Sequence, residues 1–264
     1  MDTSSFEQLL ETYFAHHLPR LLRRKWLMSC LRQLMQVDAI HAVVDSISHL
    51  SDFAAVDAII ARSGLLVRYE QTQRIPPAGR LLVLANHPLG AADVFLLLQC
   101  LRHARSDVRV VINKLGPIIV PQIAALCLAV DRYSRFNEDA RTRIHVALEQ
   151  ERAVVLFPAG GISKLTLYGI RDHPWKHGAV HFARTCRADA LPVHISGRSS
   201  LLFLALPRKL RHFLVARELL TPVRQHITVR IGTLIPHSAL VDGDVAGVTR
   251  QLQRTVYALA TTSC

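Results

Sequence analysis

A histidine and an aspartate near residue 90 are the side chains best suited to acid–base chemistry. His87 follows the apolar run Leu81 to Ala85 and lies in the turn Asn86-His87-Pro88-Leu89-Gly90, and Asp93 comes six residues after it. A carboxylate at this spacing can hold one imidazole nitrogen and leave the other free as a general base. A structural hydrogen-bonded pair without a catalytic role is the alternative, and the local pattern leaves it open.

The elements that carry this pair follow from the apolar pattern. Leu81 to Ala85 predicts a buried parallel strand, and the apolar run that ends at Leu98 has helical length. A strand, a tight turn and a helix place His87 at the carboxyl end of a strand, where open α/β sheets hold their sites. Further strands are predicted at Val108 to Ile112 and Ala153 to Phe157, with an amphipathic helix over Asn137 to Gln150. The fold class is therefore α/β, with a mostly parallel central sheet flanked by helices.

The Asn86-His87 pair with its downstream aspartate resembles the first motif of the glycerolipid acyltransferases, the 1-acylglycerol-3-phosphate acyltransferase superfamily. The run Asn86 to Gly90 is most similar to the hemolysin-like and ornithine-lipid acyltransferase branch, and so is the spacing of five residues between His87 and Asp93. Other runs resemble the family in the same order: Leu128 to Arg132, Val155 to Ser163, Ile170 to Asp172 with Trp175, Leu191 to Ile195, Gly197 to Ser200 and Ala216 to Leu219. The resemblance covers about residues 75 to 235.

This resemblance implies an acyltransferase that moves a fatty acyl group from acyl carrier protein or acyl-CoA to a lyso-lipid, either lysophosphatidate or a lyso-ornithine-type lipid. His87 would act as the general base and Asp93 would hold it, and no metal or cofactor is implied. The residues expected to bind substrate are Asn86, Arg132, Phe157, Pro158, Gly160, Gly161, Ser163 and Lys164. The chain departs from the branch at Gly161, where a Glu is usual, which bears directly on how the acceptor is bound.

The residues after Phe157 have a chemical interpretation of their own. Gly160 and Gly161 let the backbone approach a ligand closely, and N–H groups of this turn could bind a developing oxyanion. A plain strand-terminating turn is the alternative. Arg132 could hold a phosphate with two hydrogen bonds or be a solvated loop residue. The chain has no GxSxG elbow, so direct attack by the acceptor is simpler than a covalent acyl-enzyme.

The N-terminal part differs in composition from the rest. The stretch from Tyr13 to Gln36 combines an apolar stripe at helical spacing with five basic residues and no acidic one. It predicts an interfacial helix on an anionic membrane or, equally, a helix that packs on the domain with a solvated basic face. A second helical stretch is expected over about Val37 to Arg62, and residues 1 to 63 are expected to form two or three helices. We divide the chain into a helical, membrane-associating segment (1–63) and an acyltransferase domain (64–264).

The formal charge of +12 predicts anionic partners. Aromatic residues make up only 6% and no nucleic-acid motif is present, so an anionic membrane or an acidic carrier protein is expected and nucleic acid is not. No apolar run of transmembrane length and no signal peptide is seen, and five cysteines without CxxC spacing predict a reduced compartment. We expect a peripheral protein on the cytoplasmic face of the inner membrane. The rival hypothesis is a catalytically inactive membrane-binding protein of the same fold.

Overall fold

The computed structural model describes residues 36–130, 138–167, 169–205 and 226–260, together with the isolated positions 29, 33, 214, 217 and 218. Its helices are α1 (Val37–Ser46), α2 (Asp52–Ser63), α3 (Ala91–Arg102), α4 (Leu115–Ile119), α5 (Glu138–Glu149), α6 (Gly178–Cys186), α7 (Leu201–Ala205), α8 (Ser238–Val241) and α9 (Val245–Ala258). Its strands are β1 (Leu66–Glu70), β2 (Leu81–Ala85), β3 (Val108–Asn113), β4 (Cys127–Val130), β5 (Ala153–Leu156), β6 (Lys164–Thr166), β7 (Gly169–Arg171), β8 (Asp189–Ile195) and β9 (His226–Ile231).

A seven-stranded sheet in the order β1-β9-β8-β2-β5-β3-β4 forms the centre of the fold. All neighbouring strands are parallel except β8 and β9, which are antiparallel. The α/β prediction with a mostly parallel sheet is confirmed. One placement is wrong: the alternation of Ile227 to Ile231 predicts an edge strand, but β9 lies between β1 and β8. Alternating burial shows which face each side chain takes and not where the strand sits in the sheet.

Both faces of the sheet are covered, which explains why β2 is apolar at every position. Leu81, Val83 and Ala85 belong to the core on one face, together with side chains of α2 and α3. Leu82 and Leu84 belong to the core on the other face, with side chains of α5, α6 and α9. A strand buried on both sides needs an uninterrupted apolar sequence. This burial fixes the position at which β2 ends and the His87 loop begins.

The helical stretch before the sheet is divided in the structure. The stretch expected over Val37 to Arg62 consists of two helices, α1 and α2, separated by residues 47–51. Ala55, Val56 and Ile59 of α2 are buried in the same core as β2, so α2 packs directly on the sheet layer. The predicted boundary at residue 63 stays a prediction. The basic stretch from Tyr13 to Gln36 lies almost entirely outside the described residues. In the described part of the chain, no helix combines the length and the hydropathy needed to span a bilayer.

Candidate active site

The carboxyl end of β2 is tied to the carboxyl end of β8 by one side chain. Asn86 is buried, its amide nitrogen donates to Ile195 O (2.8 Å), and its side-chain oxygen accepts from Ile195 N (2.7 Å). The β2–β8 ladder has its last register pair at Ala85 and Val193, so Asn86 extends the pairing by a side chain where the backbone turns away. Its predicted role in substrate binding stays a prediction.

His87 and Asp93 are in direct contact. His87 Nδ1 lies 2.8 Å from Asp93 Oδ2, and the same oxygen accepts the N–H groups of Leu89 (2.9 Å) and Gly90 (3.0 Å). Because Oδ2 accepts from two backbone donors, it acts as an acceptor toward the histidine as well, and Nδ1 carries the proton. In the neutral ring, Nε2 is then the nitrogen without a proton, and it forms no hydrogen bond within the described part of the chain. The His87 side chain is 15% exposed and that of Asp93 is 0% exposed, so only the histidine can meet a substrate.

Asp93 lies at the start of α3 in an apolar environment. Burial raises the pKa of the Asp93 carboxyl, while the hydrogen bond from His87, its charge when protonated and the bond from Leu89 N–H lower it. Its second oxygen, Oδ1, is buried and has no hydrogen-bond partner among the described residues. A carboxylate that carries negative charge in such a place stabilises a positive charge on the imidazole beside it.

Phe157 fixes the plane of the histidine ring from the side of β5. The two rings stack with their centroids 4.1 Å apart and an interplanar angle of 23°. Because β5 is the parallel neighbour of β2, the strand end before Phe157 lies at the same sheet edge as the strand end before His87. The contact brings together two motifs that are far apart in sequence.

The turn after Phe157 brings a lysine into the site. Gly160 adopts a φ of +62° and donates its N–H to Phe157 O (2.9 Å), so this N–H is already occupied. The N–H of Gly161 has no acceptor among the described residues, and of these two donors it is the one left for an oxyanion. Lys176 donates its backbone N–H to Pro158 O (2.9 Å), and its Nζ lies 2.9 Å from the place that a Cβ on Gly160 would take.

Asp172 joins the histidine loop to the segment that follows Gly161. Its Oδ1 accepts from His87 N (3.2 Å) and from Ser163 Oγ (2.5 Å), and its Oδ2 accepts from Trp175 Nε1 (2.9 Å). Ser163 N in turn donates to His87 O (2.8 Å). Both backbone polar groups of His87 are therefore held by the chain on either side of the β6–β7 pair.

Helix α9 contacts this hydrogen-bond network through Tyr257. Tyr257 of α9 accepts the N–H of Asp172 (2.7 Å), and its ring lies under the guanidinium of Arg171 at 4.6 Å. His194 of β8 contacts the same ring edge-on with centroids 5.9 Å apart. Burial, together with the positive charges of Arg230 and Arg171, lowers the pKa of His194 to about 4, so this histidine is neutral near pH 7.

Two further runs that resemble the family meet the site through hydroxyl groups. Ser199 Oγ donates to Pro88 O (2.9 Å) in the histidine loop, and Ser200 Oγ donates to Glu218 Oε1 (2.6 Å). Glu218 is buried and also accepts Ser200 N (2.6 Å). These contacts hold the chain after β8 against the His87 turn.

The structure brings together most of the residues predicted for the site. His87, Asp93, Phe157 and the turn from Pro158 to Gly161 adjoin, and Ser163 is buried behind the histidine, where its hydroxyl is bonded to Asp172. Lys164 is exposed at the start of β6. Arg132 lies outside the described residues, so its predicted role is untested.

Two residues that sequence reasoning did not assign to the site are Lys176 and Tyr257, and Asp172 was noted only through the resemblance. Asp172 accepts bonds from a residue 85 positions away, a separation at which no local pattern signals contact. In the described part of the chain no group of three or more His, Cys, Asp and Glu side chains is arranged to hold a metal ion.

Comparison with known proteins gives the family. A sequence model of the family described as "Acyltransferase" matches residues 10–222, most of the chain. The chain is 24% identical over 177 residues to lyso-glycine lipid O-acyltransferase of Bacteroides thetaiotaomicron, a match that covers 67% of this chain and 65% of that protein. It is 22% identical over 222 residues to the protein of the same name in Phocaeicola vulgatus, covering 80% and 79%.

A solved structure shares the fold. The crystal structure of the 1-acyl-sn-glycerophosphate acyltransferase PlsC from Thermotoga maritima superposes with a TM-score of 0.53 at 15% identity, over 98% of this chain and 90% of that one. The family match and the shared fold agree with the resemblance found in the sequence. The chain belongs to the acyltransferase family.

Proposed function

We propose that this enzyme transfers a fatty acyl group from the thioester of acyl carrier protein or acyl-CoA to the hydroxyl of a lyso-lipid, with His87 as general base. The observation that carries the proposal is the pair of a buried, N–H-bonded Asp93 and a partly exposed His87 whose Nε2 has no hydrogen-bond partner in the described chain. Such an imidazole accepts a proton from a hydroxyl within hydrogen-bond reach.

The reaction needs no covalent enzyme intermediate. His87 Nε2 takes the proton of the acceptor hydroxyl as the oxygen attacks the thioester carbonyl, and Asp93 stabilises the imidazolium that forms. The tetrahedral intermediate then breaks its C–S bond, and the imidazolium returns the proton to the departing thiolate. The Gly161 N–H is the backbone donor we assign to the oxyanion, since Gly160 N–H is occupied.

The charges around the site favour an acceptor with an anionic head group. Lys164 and Lys176 are exposed, and neither forms an ion pair with any residue that the structure describes. The two carboxylates of the site, Asp93 and Asp172, are buried and bonded internally. With Gly161 in place of an acidic residue, nothing in the described site would pair with a free amine. A carboxylate head, as in a lyso-glycine lipid, or a phosphate, as in lysophosphatidate, therefore suits this site better than lyso-ornithine lipid.

We also propose that the enzyme works as a peripheral protein at the anionic, cytoplasmic face of the inner membrane. Its lipid acceptor resides in a bilayer, and its formal charge of +12 complements anionic head groups.

The test is acyl transfer from labelled acyl carrier protein and acyl-CoA to three acceptors: a lyso-glycine-type lipid, lysophosphatidate and lyso-ornithine lipid. We expect transfer to the first or second, a slower rate with the third, and a loss of at least about a hundredfold in His87→Ala. Val241→Ala is the matched control, since this exposed residue lies in α8, which is attached to the amino end of β8. Equal rates for His87→Ala and wild type would refute the general-base assignment. Preference for the ornithine lipid would refute the charge argument.

A further inference from the structure

The β6–β7 hairpin exposes two leucines beside the active site. Lys164 to Thr166 pairs antiparallel with Gly169 to Arg171, and Thr166 Oγ1 closes the turn by donating to Gly169 O (2.8 Å). Leu165 is 61% exposed and Leu167, in the turn itself, is 100% exposed. A fully exposed leucine at the end of a short hairpin does not stabilise the fold by packing, because no described side chain covers it.

The hairpin is attached to the catalytic histidine at both ends. Ser163, which precedes β6, donates its N–H to His87 O, and Asp172, which follows β7, accepts His87 N–H. The Arg171 guanidinium, at the end of β7, also stacks on Tyr257 of α9. The base of the hairpin is thus fixed relative to His87, and whatever the leucines contact lies at a fixed distance from the general base.

Positive charge surrounds the base of this apolar tip. Lys164 and Arg171 are register partners in the hairpin, and both are exposed. Lys176, also exposed, lies on the adjoining Gly160 turn. An anionic bilayer has charged head groups outside an apolar interior. Leucines at the tip can therefore reach the interior while the cations behind them meet the head groups.

We propose that the β6–β7 hairpin inserts Leu165 and Leu167 into the outer acyl region of an anionic bilayer, while Lys164 and Arg171 contact its head groups. The insertion sets His87 at the depth of the acceptor hydroxyl, so the acceptor reacts without leaving the membrane. The proposal rests on the proposed function for the lipid nature of the acceptor. Vesicle binding in the absence of donor tests the hairpin separately from the chemistry.

Insertion is measured directly with Leu167→Trp in the full chain. The variant is mixed with vesicles of phosphatidylglycerol and phosphatidylcholine that carry bromine on the acyl chains, which quench nearby indoles. Trp26 and Trp175 give a background common to all variants. We expect quenching beyond that of wild type at position 167 and none beyond it in Val241→Trp, whose site is 51% exposed. Quenching at 167 equal to that at 241 on vesicles that bind the protein would overturn the proposal.

The contribution of the two leucines to membrane binding is measured with the double variant Leu165→Ser/Leu167→Ser, and Val241→Ser is the control. Each leucine moved into lipid strengthens partitioning on the order of tenfold, so we expect the double variant to bind these vesicles about a hundredfold more weakly if the hairpin dominates binding. Acyl transfer to acceptor in bilayers should fall, whereas transfer to a short-chain acceptor dispersed as monomers should stay within about twofold of wild type. An equal loss on both acceptors would show that the leucines support the site and not the membrane contact. If wild type transfers to neither acceptor but Leu167→Trp is quenched, the proposed function fails and the hairpin proposal stands.

Discussion

Replacing Asp93 by asparagine removes one negative charge from the site while changing its shape little. The side-chain oxygen of the new amide can still accept the N–H groups of Leu89 and Gly90 and the Nδ1–H of His87, all of which converge on Asp93 Oδ2 in the wild type. In the proposed mechanism, what changes is the environment of the imidazolium that forms when His87 takes the proton of the acceptor. In the variant that cation lies beside a neutral amide.

The magnitude follows from the geometry of the pair. Two unit charges about 4 Å apart interact by about 4 kcal/mol at an effective dielectric constant of 20, and about 1.4 kcal/mol corresponds to a tenfold change in rate. Because the proton is only partly transferred in the transition state, we expect kcat to fall about 10²- to 10³-fold in Asp93→Asn.

Although Asp93→Asn should lower kcat, it should not lower the stability of the folded protein. Burial raises the pKa of Asp93 above that of an unfolded aspartate, so the folded state holds this proton more tightly than the unfolded chain does, and the ionised carboxylate costs stability at neutral pH. This cost is fully present above the folded-state pKa and disappears below the unfolded value of about 3.9. Asp93→Asn should therefore unfold at the same temperature as wild type or higher at pH 7.5, and the difference should shrink as the pH falls toward 4.

The assay is single-turnover acyl transfer with a saturating acceptor, combined with thermal unfolding of both proteins across pH 4 to 8. His87→Ala sets the baseline for loss of the base. Activity of Asp93→Asn within about threefold of wild type would refute the charge argument. A large drop in unfolding temperature at pH 7.5 would instead identify Asp93 as mainly a support for the start of α3.

Three further changes separate the supporting contacts. Asp172→Asn replaces an acceptor of three hydrogen bonds, so unfolding by denaturant should show a loss of about 1.5–3 kcal/mol, accompanied by a lower kcat. Gly160→Ala places a Cβ 2.9 Å from Lys176 Nζ at a φ of +62°, so the KM for the acceptor should rise. The control is Gly79→Ala, because Gly79 also has a positive φ of +89° but no neighbour within 4 Å, and this variant should leave the KM unchanged. In wild type the pKa of His194 is lowered to about 4, so the free energy of unfolding should fall by at most about 3 kcal/mol as the pH drops from about 6.5 to 4. In His194→Phe the free energy of unfolding should depend less on pH over this range.

The sequence was sufficient for features encoded within about ten residues. The apolar run at β2, the Pro/Gly turn and the spacing of His87 and Asp93 are local, and the structure has the predicted strand, turn and contact there. The ends of helices and strands were also close to prediction, because capping and turn residues act on their immediate neighbours. The break between α1 and α2 is the exception, since no Pro or Gly marks it.

Contacts between distant segments were not predictable in the same way. The exposed Lys176 has the local sequence of any solvated lysine, and only the backbone bond from its N–H to Pro158 O places it on the Gly160 turn. Tyr257 has the spacing of a core residue on an amphipathic helix, and its bond to Asp172 depends on how α9 packs against the sheet. In each case the contact depends on the distance between two segments in the folded chain, which the periodicity of apolar residues does not predict.

The order of three strands explains why separate motifs form one site. β2 lies between β8 and β5, so the loops after Ala85 and Leu156 and the carboxyl end of β8 share one edge of the sheet. Asn86 then fixes the start of the histidine loop to Ile195 by two hydrogen bonds, while Phe157 fixes the ring from the other side. The position of His87 is therefore set by the two strands that flank β2 more than by its own loop. A histidine in a turn becomes a fixed side chain because residues at the ends of both neighbouring strands hold its loop and its ring.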